Sequence, residues 1–362
     1  MPERPGLLWD DSGICIKPLW EHEPKIDDII KVFLRLGFAH NRDQLHVSVL
    51  GQGAINKAYR VQIKLGKGED ERGRQPAFMK WRTMSMDQKK RLVEQIASYQ
   101  HELTALPFDS IGTLREEDGY APGQIVNMEF CFGDHFSYNI NRGPFHCARD
   151  WFKALTDIII LDRKQELEEE DLDRVERFLC EGYLRITERL RELIPTLFSD
   201  TTPERTVLWH HDLSLTNILV SPRYDLNGII DWECVSTIPI WASTNPPRFL
   251  RGRDRHEEPH PDRYYHGNAP PVDRWGRNNK GRSTKYRDGL MDYEMTVLQA
   301  RYDSCRRHHD PRWKKDLTKD EKLKYDFLDA INLCRAQDLG GVVDEWIDSL
   351  EEGDIIPLEY SD

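Results

Sequence analysis

The feature that most constrains the fold is a polar loop enclosed by two short aliphatic segments. Residues 209–217 read WHHDLSLTN, with Val-Leu at 207–208 before them and Ile-Leu-Val at 218–220 after them. Short aliphatic runs bounded by polar residues are typical of buried strands. The pattern therefore predicts a loop held between two strands of the core. A polar loop on a buried framework indicates a functional site.

Asp212 and Asn217 are the residues of this loop that suggest a reaction. Phosphoryl transfer requires an oriented acceptor hydroxyl and a divalent metal that neutralises the phosphates. Asp212 can accept a hydrogen bond from the hydroxyl and take its proton, and the amide oxygen of Asn217 can bind Mg²⁺. Fourteen residues after Asn217, an aliphatic strand ends at Asp231, which supplies a second oxygen ligand. The alternative is that Asp212 and Asn217 only cap a turn.

Two segments then carry a resemblance to a known family. WHHDLSLTNILV, followed by GIIDWECVSTIPIW, is similar to the motif of the aminoglycoside phosphotransferase family, whose relatives are the choline kinases and, more remotely, the protein kinases. Further similar segments include MEFCFGDH and RGPFHCARDWF, and the similarity spans about residues 46–255. The resemblance implies an α+β, protein-kinase-like fold of two lobes, with ATP in the cleft and Mg²⁺ as the second cofactor.

The same resemblance implies a role for each residue of the motif. Asp212 is expected to be the catalytic base, Asn217 and Asp231 the metal ligands, and His210 the residue that orients the loop. His211 is left open between a substrate-binding and a packing role, and so is Glu233. Trp209 and Trp232 are expected in the core.

A second motif, GQGAIN at 51–56, contains the first two glycines of a G-x-G-x-x-G pattern. A dinucleotide-binding turn requires a helix directly after the glycines, whereas alternating residues predict a strand here. Gly51 and Gly53 are therefore interpreted as the turn of a hairpin that covers the phosphates of ATP. A plain hairpin turn is the alternative.

Lys80, in the segment PAFMKW, is the candidate lysine for the nucleotide phosphates. It is predicted on a short strand, with a solvated strand lysine as the alternative. The segment WRTMSM follows directly and resembles the large lobe, so the remaining small-lobe strands and the adenine-binding hinge have no counterpart. The expected domains are a partial N-terminal lobe at 1–82 and a helical C-terminal lobe at 83–362.

Helical periodicity predicts the elements of that second lobe. Ser85 and Gln88 form a capping-box pair before a helix that extends to about residue 106. The other helices are expected at about 150–161, 170–194, 290–308, 319–337 and 341–350. Val175 and Leu179 are among the apolar residues of the second of these that are expected to face inward. A segment at 251–288, rich in Arg, Gly, Asn, Pro and His, is expected to be a flexible insertion.

Composition restricts the partners. A formal net charge of −12 argues against general nucleic-acid binding and favours a cationic partner. Glu129, Asp134 and Asp150 are candidates to attract an amine-bearing acceptor, and solvated surface carboxylates are the favoured alternative for each. No apolar run is long enough to span a membrane, and seven scattered cysteines indicate a reducing, cytoplasmic environment. The oligomeric state is not predicted.

The sequence therefore favours an ATP- and Mg²⁺-dependent enzyme that phosphorylates a hydroxyl group of a small molecule. Because half of the small lobe lacks a counterpart, a catalytically impaired pseudokinase or binding module is the alternative. The two differ in whether Mg·ATP binds.

Overall fold

A computed structural model describes residues 7–10, 17–20, 25–35, 39–52, 57–63, 75–115, 119–169, 171–198, 201–232, 235–264, 284–310, 313, 317–338 and 340–359. The chain divides into two compact units, Met1–Arg74 and Gln75–Asp362. Helices and small antiparallel sheets occur together, so the fold class is α+β.

The first unit contains two hairpins and a helix. Its elements are β1 (Leu7–Asp10), β2 (Lys17–Trp20), α1 (Ile26–Arg35), β3 (Leu45–Gln52) and β4 (Lys57–Ile63). The predicted hairpin is confirmed, because β3 pairs antiparallel with β4 from Leu45↔Ile63 to Gln52↔Lys57. Ile30 of α1 is buried against Ala39 and Leu45.

The second unit begins with a short strand and a short helix. β5 is Gln75–Pro76 and α2 is Ala77–Lys80, followed by α3 (Met86–Thr104). The strand expected through Lys80 is therefore wrong, because the Trp81 amide donates to the Ala77 carbonyl at 2.7 Å and closes a helical turn. The expected domain boundary after residue 82 differs from the observed division, since β5 pairs with a strand of the second unit.

The capping box of α3 is confirmed. The Gln88 amide donates to Ser85 Oγ at 3.3 Å, and the Ser85 amide donates to Gln88 Oε1 at 2.8 Å. These two bonds satisfy amides that a helix start otherwise leaves unpaired. Leu92 and Ile96 are fully buried, as the periodicity predicts. Leu106 lies beyond the last turn of α3 and is exposed.

Further elements follow along the chain and complete the second unit. They are β6 (Pro107–Phe108), β7 (Thr113–Arg115), β8 (Ala121–Gly123), α4 (Met128–Cys131), α5 (Ala148–Leu167), α6 (Arg174–Leu197), β9 (Thr206–Trp209), β10 (Ile218–Val220), β11 (Leu226–Ile229), β12 (Ser236–Pro239), α7 (Thr284–His309), α8 (Lys319–Ala336) and α9 (Gly340–Glu351). The helices expected in this region are confirmed, with shifted ends.

The largest core cluster joins α5, α6, α8 and α9. Phe152, Phe198 and Phe327 pack around one centre, with ring centroids 5.0–5.2 Å apart. Val175 and Leu179 of α6, which were expected to face inward, are exposed. The buried residues of α6 begin only at Cys180, so the first turns of the helix lie outside this core.

Two three-stranded antiparallel sheets position the polar loop. Their strand orders are β11-β10-β5 and β12-β9-β6. The loop connects β9 of one sheet to β10 of the other. Its ends are therefore held by Trp209↔Ser236 and Ile218↔Ile229 pairing.

The segment expected to be a flexible insertion is described only at its ends. Residues 265–283 lie outside the described residues, whereas 261–264 form a 3₁₀ turn and α7 already begins at Thr284. The Arg255 amide donates to Thr296 Oγ1 at 2.9 Å, which ties the start of the segment to α7. Among the described helices, none has the length and hydrophobicity needed to span a bilayer.

Candidate active site

Asp212 and Asn217 are joined within the loop. The Asn217 side-chain nitrogen donates to both the main-chain oxygen and the carboxylate Oδ2 of Asp212, each at 2.9 Å. Asn217 is only 7% exposed, whereas Asp212 is exposed to solvent. Since both donated bonds use the amide nitrogen, the Asn217 amide oxygen remains as an acceptor.

The backbone of the loop is closed by two further hydrogen bonds. The Ser214 amide donates to the Asp212 carbonyl at 2.9 Å, and the Asn217 amide donates to the Ser214 carbonyl at 3.0 Å. Consecutive tight turns of this kind fix the direction of the side chains between them. The Asp212 carboxylate is therefore held at the surface by backbone and side-chain contacts together.

Asp231 lies beside Asn217 at the end of the β10–β11 ladder. The Ile230 amide donates to the Asn217 carbonyl at 2.9 Å, so the residue before Asp231 is hydrogen-bonded to the metal-ligand candidate of the loop. Asp231 is exposed and has a φ of 74°. A left-handed backbone is uncommon outside glycine, and such conformations concentrate at functional sites.

His210 is buried beneath the loop, with 4% of its surface exposed. Its Nε2 lies 3.1 Å from the Ile230 carbonyl oxygen. Because a carbonyl can only accept, Nε2 donates and carries the proton. The ring also packs edge-on against Trp232 at 5.1 Å between centroids. His210 thus connects the start of the loop to the strand end that carries Asp231.

The tryptophans beside the motif differ in their surroundings. Trp209 is buried, as expected. Trp232 was also expected in the core but is 36% exposed, because it follows Asp231 at the strand end. Its indole nitrogen donates to the Ile229 carbonyl at 2.9 Å. Glu233 lies outside the described residues.

A second polar group includes His211 of the loop; the sequence analysis named His211 and Glu129 separately but not their partners Ser236 and Arg335. His211 Nε2 lies 2.7 Å from Ser236 Oγ on β12. Glu129 of α4 acts electrostatically on His211 and forms an ion pair with Arg335 of α8, at 2.5 Å between Oε1 and Nη1. No local pattern could have indicated this pair, because its members are 206 positions apart in the chain.

The ionisation of this group follows from its surroundings. Burial raises the pKa of Glu129, but Arg335 and His211 outweigh burial and hold that pKa below the usual glutamate value. Desolvation of the ring lowers the pKa of His211, and Glu129 acts in the opposite direction. At neutral pH Glu129 is therefore ionised and His211 is neutral.

The candidate nucleotide-binding residues are distributed over different parts of the chain. Gly51 lies in the first unit, where it pairs with Ala58, and Gly53 lies outside the described residues. Lys80 is the last residue of α2 in the second unit. Within the described part of the chain, its ammonium group has no carboxylate partner.

The donor chemistry at the loop suits a hard cation. Asn217 offers an amide oxygen and Asp231 an exposed carboxylate, and Mg²⁺ is commonly held by one or two such oxygens together with water and phosphate. The described residues contain no group of three or more His, Cys, Asp or Glu side chains arranged for a metal ion.

Comparison with known proteins gives the family. Residues 69–242 match the model of the phosphotransferase enzyme family, APH. This segment belongs to that family, and the resemblance inferred from the motif is confirmed. The matched range contains the whole loop and Asp231 but begins after the glycine turn. The class of protein that this segment indicates is a phosphotransferase. No curated protein matches the chain.

Proposed function

We propose that this protein transfers the γ-phosphoryl group of Mg·ATP to a hydroxyl group of a small molecule. The proposal includes a protein-kinase-like arrangement of two lobes. The observation that supports it best is the linkage of Asp212 to Asn217 and of Asn217 to the residue before Asp231. Phosphoryl transfer depends mainly on positioning and electrostatic stabilisation, which such a rigid polar loop can supply.

Asp212 is the proposed catalytic base. Its exposed carboxylate can reach a bound hydroxyl, while one oxygen is fixed by Asn217 at 2.9 Å. The other oxygen remains available to accept a hydrogen bond from the acceptor. Orienting the hydroxyl and taking its proton are the two roles that this carboxylate would have.

Asn217 and Asp231 are the proposed Mg²⁺ ligands. A bound Mg²⁺ would neutralise the charge on the phosphates of the nucleotide. His210 is proposed to act as a positioning residue, because its bond to the Ile230 carbonyl fixes the strand end that presents Asp231. Gly51, Gly53 and Lys80 are proposed for the nucleotide phosphates.

A second candidate function is a pseudokinase or binding module without a complete ATP site. The position of Lys80 favours it, because this residue ends a short helix and has no carboxylate partner among the described residues. A phosphate-binding lysine in kinases is normally held on a strand by a glutamate.

The acceptor is proposed to be a small molecule that reaches the loop from the side of α4. An amine-bearing acceptor remains a prediction: Asp134 and Asp150 are exposed, whereas Glu129 is already paired with Arg335. A cytoplasmic location and the absence of nucleic-acid partners also remain predictions.

The test is phosphoryl transfer from γ-labelled ATP to a panel of hydroxyl compounds. Asp212→Asn should lower kcat by about a thousandfold, because the base is lost while the hydrogen bond from Asn217 is retained. Asp225→Asn is the matched control, since Asp225 is a partly exposed carboxylate at the opposite end of β11 that pairs with Arg91. Equal rates for Asp212→Asn and the wild type would exclude the proposed base. Absence of transfer with retained Mg·ATP binding would favour the second candidate.

A further inference from the structure

The backbone at Asp231 adopts a conformation that neighbouring contacts must hold in place. Its φ of 74° lies in the left-handed region, which costs free energy for a residue that carries a Cβ. Such a conformation persists only where the surrounding structure fixes it. The residues directly before and after Asp231 both make contacts of this kind.

The residue before Asp231 is held by the polar loop. The Ile230 amide donates to the Asn217 carbonyl at 2.9 Å, and the Ile230 carbonyl accepts from His210 Nε2 at 3.1 Å. Both polar groups of the Ile230 backbone are therefore hydrogen-bonded to residues of the loop. These bonds fix the chain as it enters the left-handed turn.

Trp232 fixes the chain as it leaves the turn. Its indole nitrogen donates to the Ile229 carbonyl at 2.9 Å, so the bond spans Asp231 and links residues on its two sides. The Val235 amide also donates to the Trp232 carbonyl at 3.2 Å. Trp232 is therefore bonded through its side chain and through its backbone.

Two aromatic neighbours orient the indole ring of Trp232. The His210 ring contacts it edge-on, with the centroids 5.1 Å apart and the ring planes 82° apart. Tyr99 of α3 makes a second edge contact, at 6.4 Å and 75°. Edge-to-face contacts at such distances are favourable in addition to the area that they bury. The ring is thus supported from the loop and from a helix while its N–H group bonds the end of β11.

We propose that Trp232 is a positioning residue, whose hydrogen bond to Ile229 holds the left-handed turn and orients the Asp231 carboxylate before a divalent cation binds. This inference rests on the proposed role of Asp231 as a Mg²⁺ ligand. A ligand that is already oriented loses less conformational freedom when the cation binds, so the bond should increase metal affinity.

Trp232→Phe is the test, because phenylalanine keeps an aromatic ring and has no N–H donor. In the full-length protein, calorimetric titration should show that the dissociation constant of Mg·ATP rises about tenfold, the loss expected for one hydrogen bond. The rate of phosphoryl transfer should show a matching separation. The Mg²⁺ concentration for half-maximal rate should rise about tenfold, whereas kcat at saturating Mg²⁺ should change by less than about threefold.

Trp346→Phe is the matched control. The Trp346 indole nitrogen also donates to a backbone carbonyl, that of Ile356, at 2.9 Å, but this side chain is buried in the helical core. Its replacement should lower the melting temperature and leave the dissociation constant of Mg·ATP unchanged. The same pattern in Trp232→Phe would show a purely structural role and overturn the inference.

Amide hydrogen exchange without metal or nucleotide separates this inference from the proposed function. The Ile230 and Val235 amides should exchange faster in Trp232→Phe, because their bonds flank the turn. Faster exchange and weaker Mg·ATP binding, without turnover by the wild type, would support the positioning role and contradict the phosphotransferase function. Unchanged exchange, or no binding of Mg·ATP by the wild type, would overturn the inference.

Tyr99→Leu provides the result if Trp232→Phe does not fold. This change removes the ring that supports Trp232 from α3 but leaves the indole N–H in place. The dissociation constant of Mg·ATP should rise about threefold, since an aromatic edge contact contributes less than the hydrogen bond. An unchanged dissociation constant in this variant would contradict the proposed orientation of the ring.

Discussion

At the scale of single residues, Asn217 determines how the proposed base is held. Its side-chain nitrogen makes both hydrogen bonds to Asp212, and its carbonyl accepts from the Ile230 amide. One residue therefore orients the base and borders the strand end that carries Asp231. This double role accounts for a buried asparagine in a loop whose other polar residues are largely exposed.

Asn217→Ala tests this role. Without the amide, Asp212 loses its fixed orientation and a metal ligand is removed, so kcat for phosphoryl transfer should fall at least about a hundredfold. The melting temperature should be followed in parallel. Thr216→Ala is the control, because the neighbouring Thr216 is exposed and its hydroxyl pairs with that of Ser214. A rate for Asn217→Ala close to that of Thr216→Ala would contradict the role.

The residues of the loop could be predicted because their contacts are local. Asp212 and Asn217 lie in the loop between β9 and β10, and Asp231 follows the next strand, β11, so their spacing along the chain brings them to the same edge. Glu129, Arg335 and Ser236 could not be predicted as neighbours of His211. Their proximity depends on how α4, α8 and β12 pack, which no short-range pattern contains.

At the scale of elements, a polar network attaches the segment after α4 to α5. His135 Nε2 lies 2.9 Å from Asp162 Oδ1, and the Tyr138 hydroxyl donates to the same carboxylate at 2.9 Å. The hydrogen bond that His135 donates to Asp162 is the main cause of its raised pKa, although burial acts in the opposite direction. The protonated form of His135 is therefore favoured by folding.

This network predicts a pH-dependent contribution to stability. A raised folded-state pKa means that the His135–Asp162 contribution is complete below the unfolded-state pKa and is lost as pH rises through the folded-state pKa. The loss of unfolding free energy in Asp162→Asn should therefore be larger at pH 5.5 than at pH 8.5, measured by urea denaturation.

Asp157→Asn is the matched control for this experiment. Asp157 also lies on α5 but pairs with an arginine, Arg191, rather than with a histidine. Its effect should be the same at both pH values. An effect of Asp162→Asn that is equal at both values, or larger at pH 8.5, would contradict the assignment.

The sequence predicted the elements whose structure depends on neighbouring residues. It did not predict features that depend on how distant elements pack together. The Ser85–Gln88 capping box and the β3–β4 hairpin depend on neighbouring residues and are confirmed. The short helix α2 was not expected, since residues 77–80 were read as a strand. Val175 and Leu179 occupy apolar positions in the helical period of α6 and are nevertheless exposed. The neighbouring helices cover only the later turns of α6.

At the scale of the whole molecule, one aromatic cluster joins the helices of the second unit. Phe327 of α8 is fully buried and contacts Phe152, Phe198 and Trp346. These partners belong to α5, to the end of α6 and to α9. The α+β class was predictable from the resemblance of the motif to a known family. The division at Arg74–Gln75 was not, because it depends on the pairing of β5 with β10.

Phe327→Ala should lower the free energy of unfolding by about 3–5 kcal/mol, since a large cavity would open between four helices. The measurement is urea denaturation followed by tryptophan fluorescence. Phe78→Ala is the control, because Phe78 is 63% exposed and its truncation should change stability by less than about 0.5 kcal/mol. Similar losses for both variants would contradict the assigned core.

The central claim is that Asn217 and Asp231 together hold a cation beside the phosphates of a nucleotide. Calorimetric titration of ATP, with and without Mg²⁺, into the wild type and Asp231→Ala tests it most directly. The predicted result is Mg²⁺-dependent ATP binding by the wild type that Asp231→Ala abolishes, while Asp225→Ala binds normally. Binding that is independent of Mg²⁺, or unchanged in Asp231→Ala, would contradict the claim.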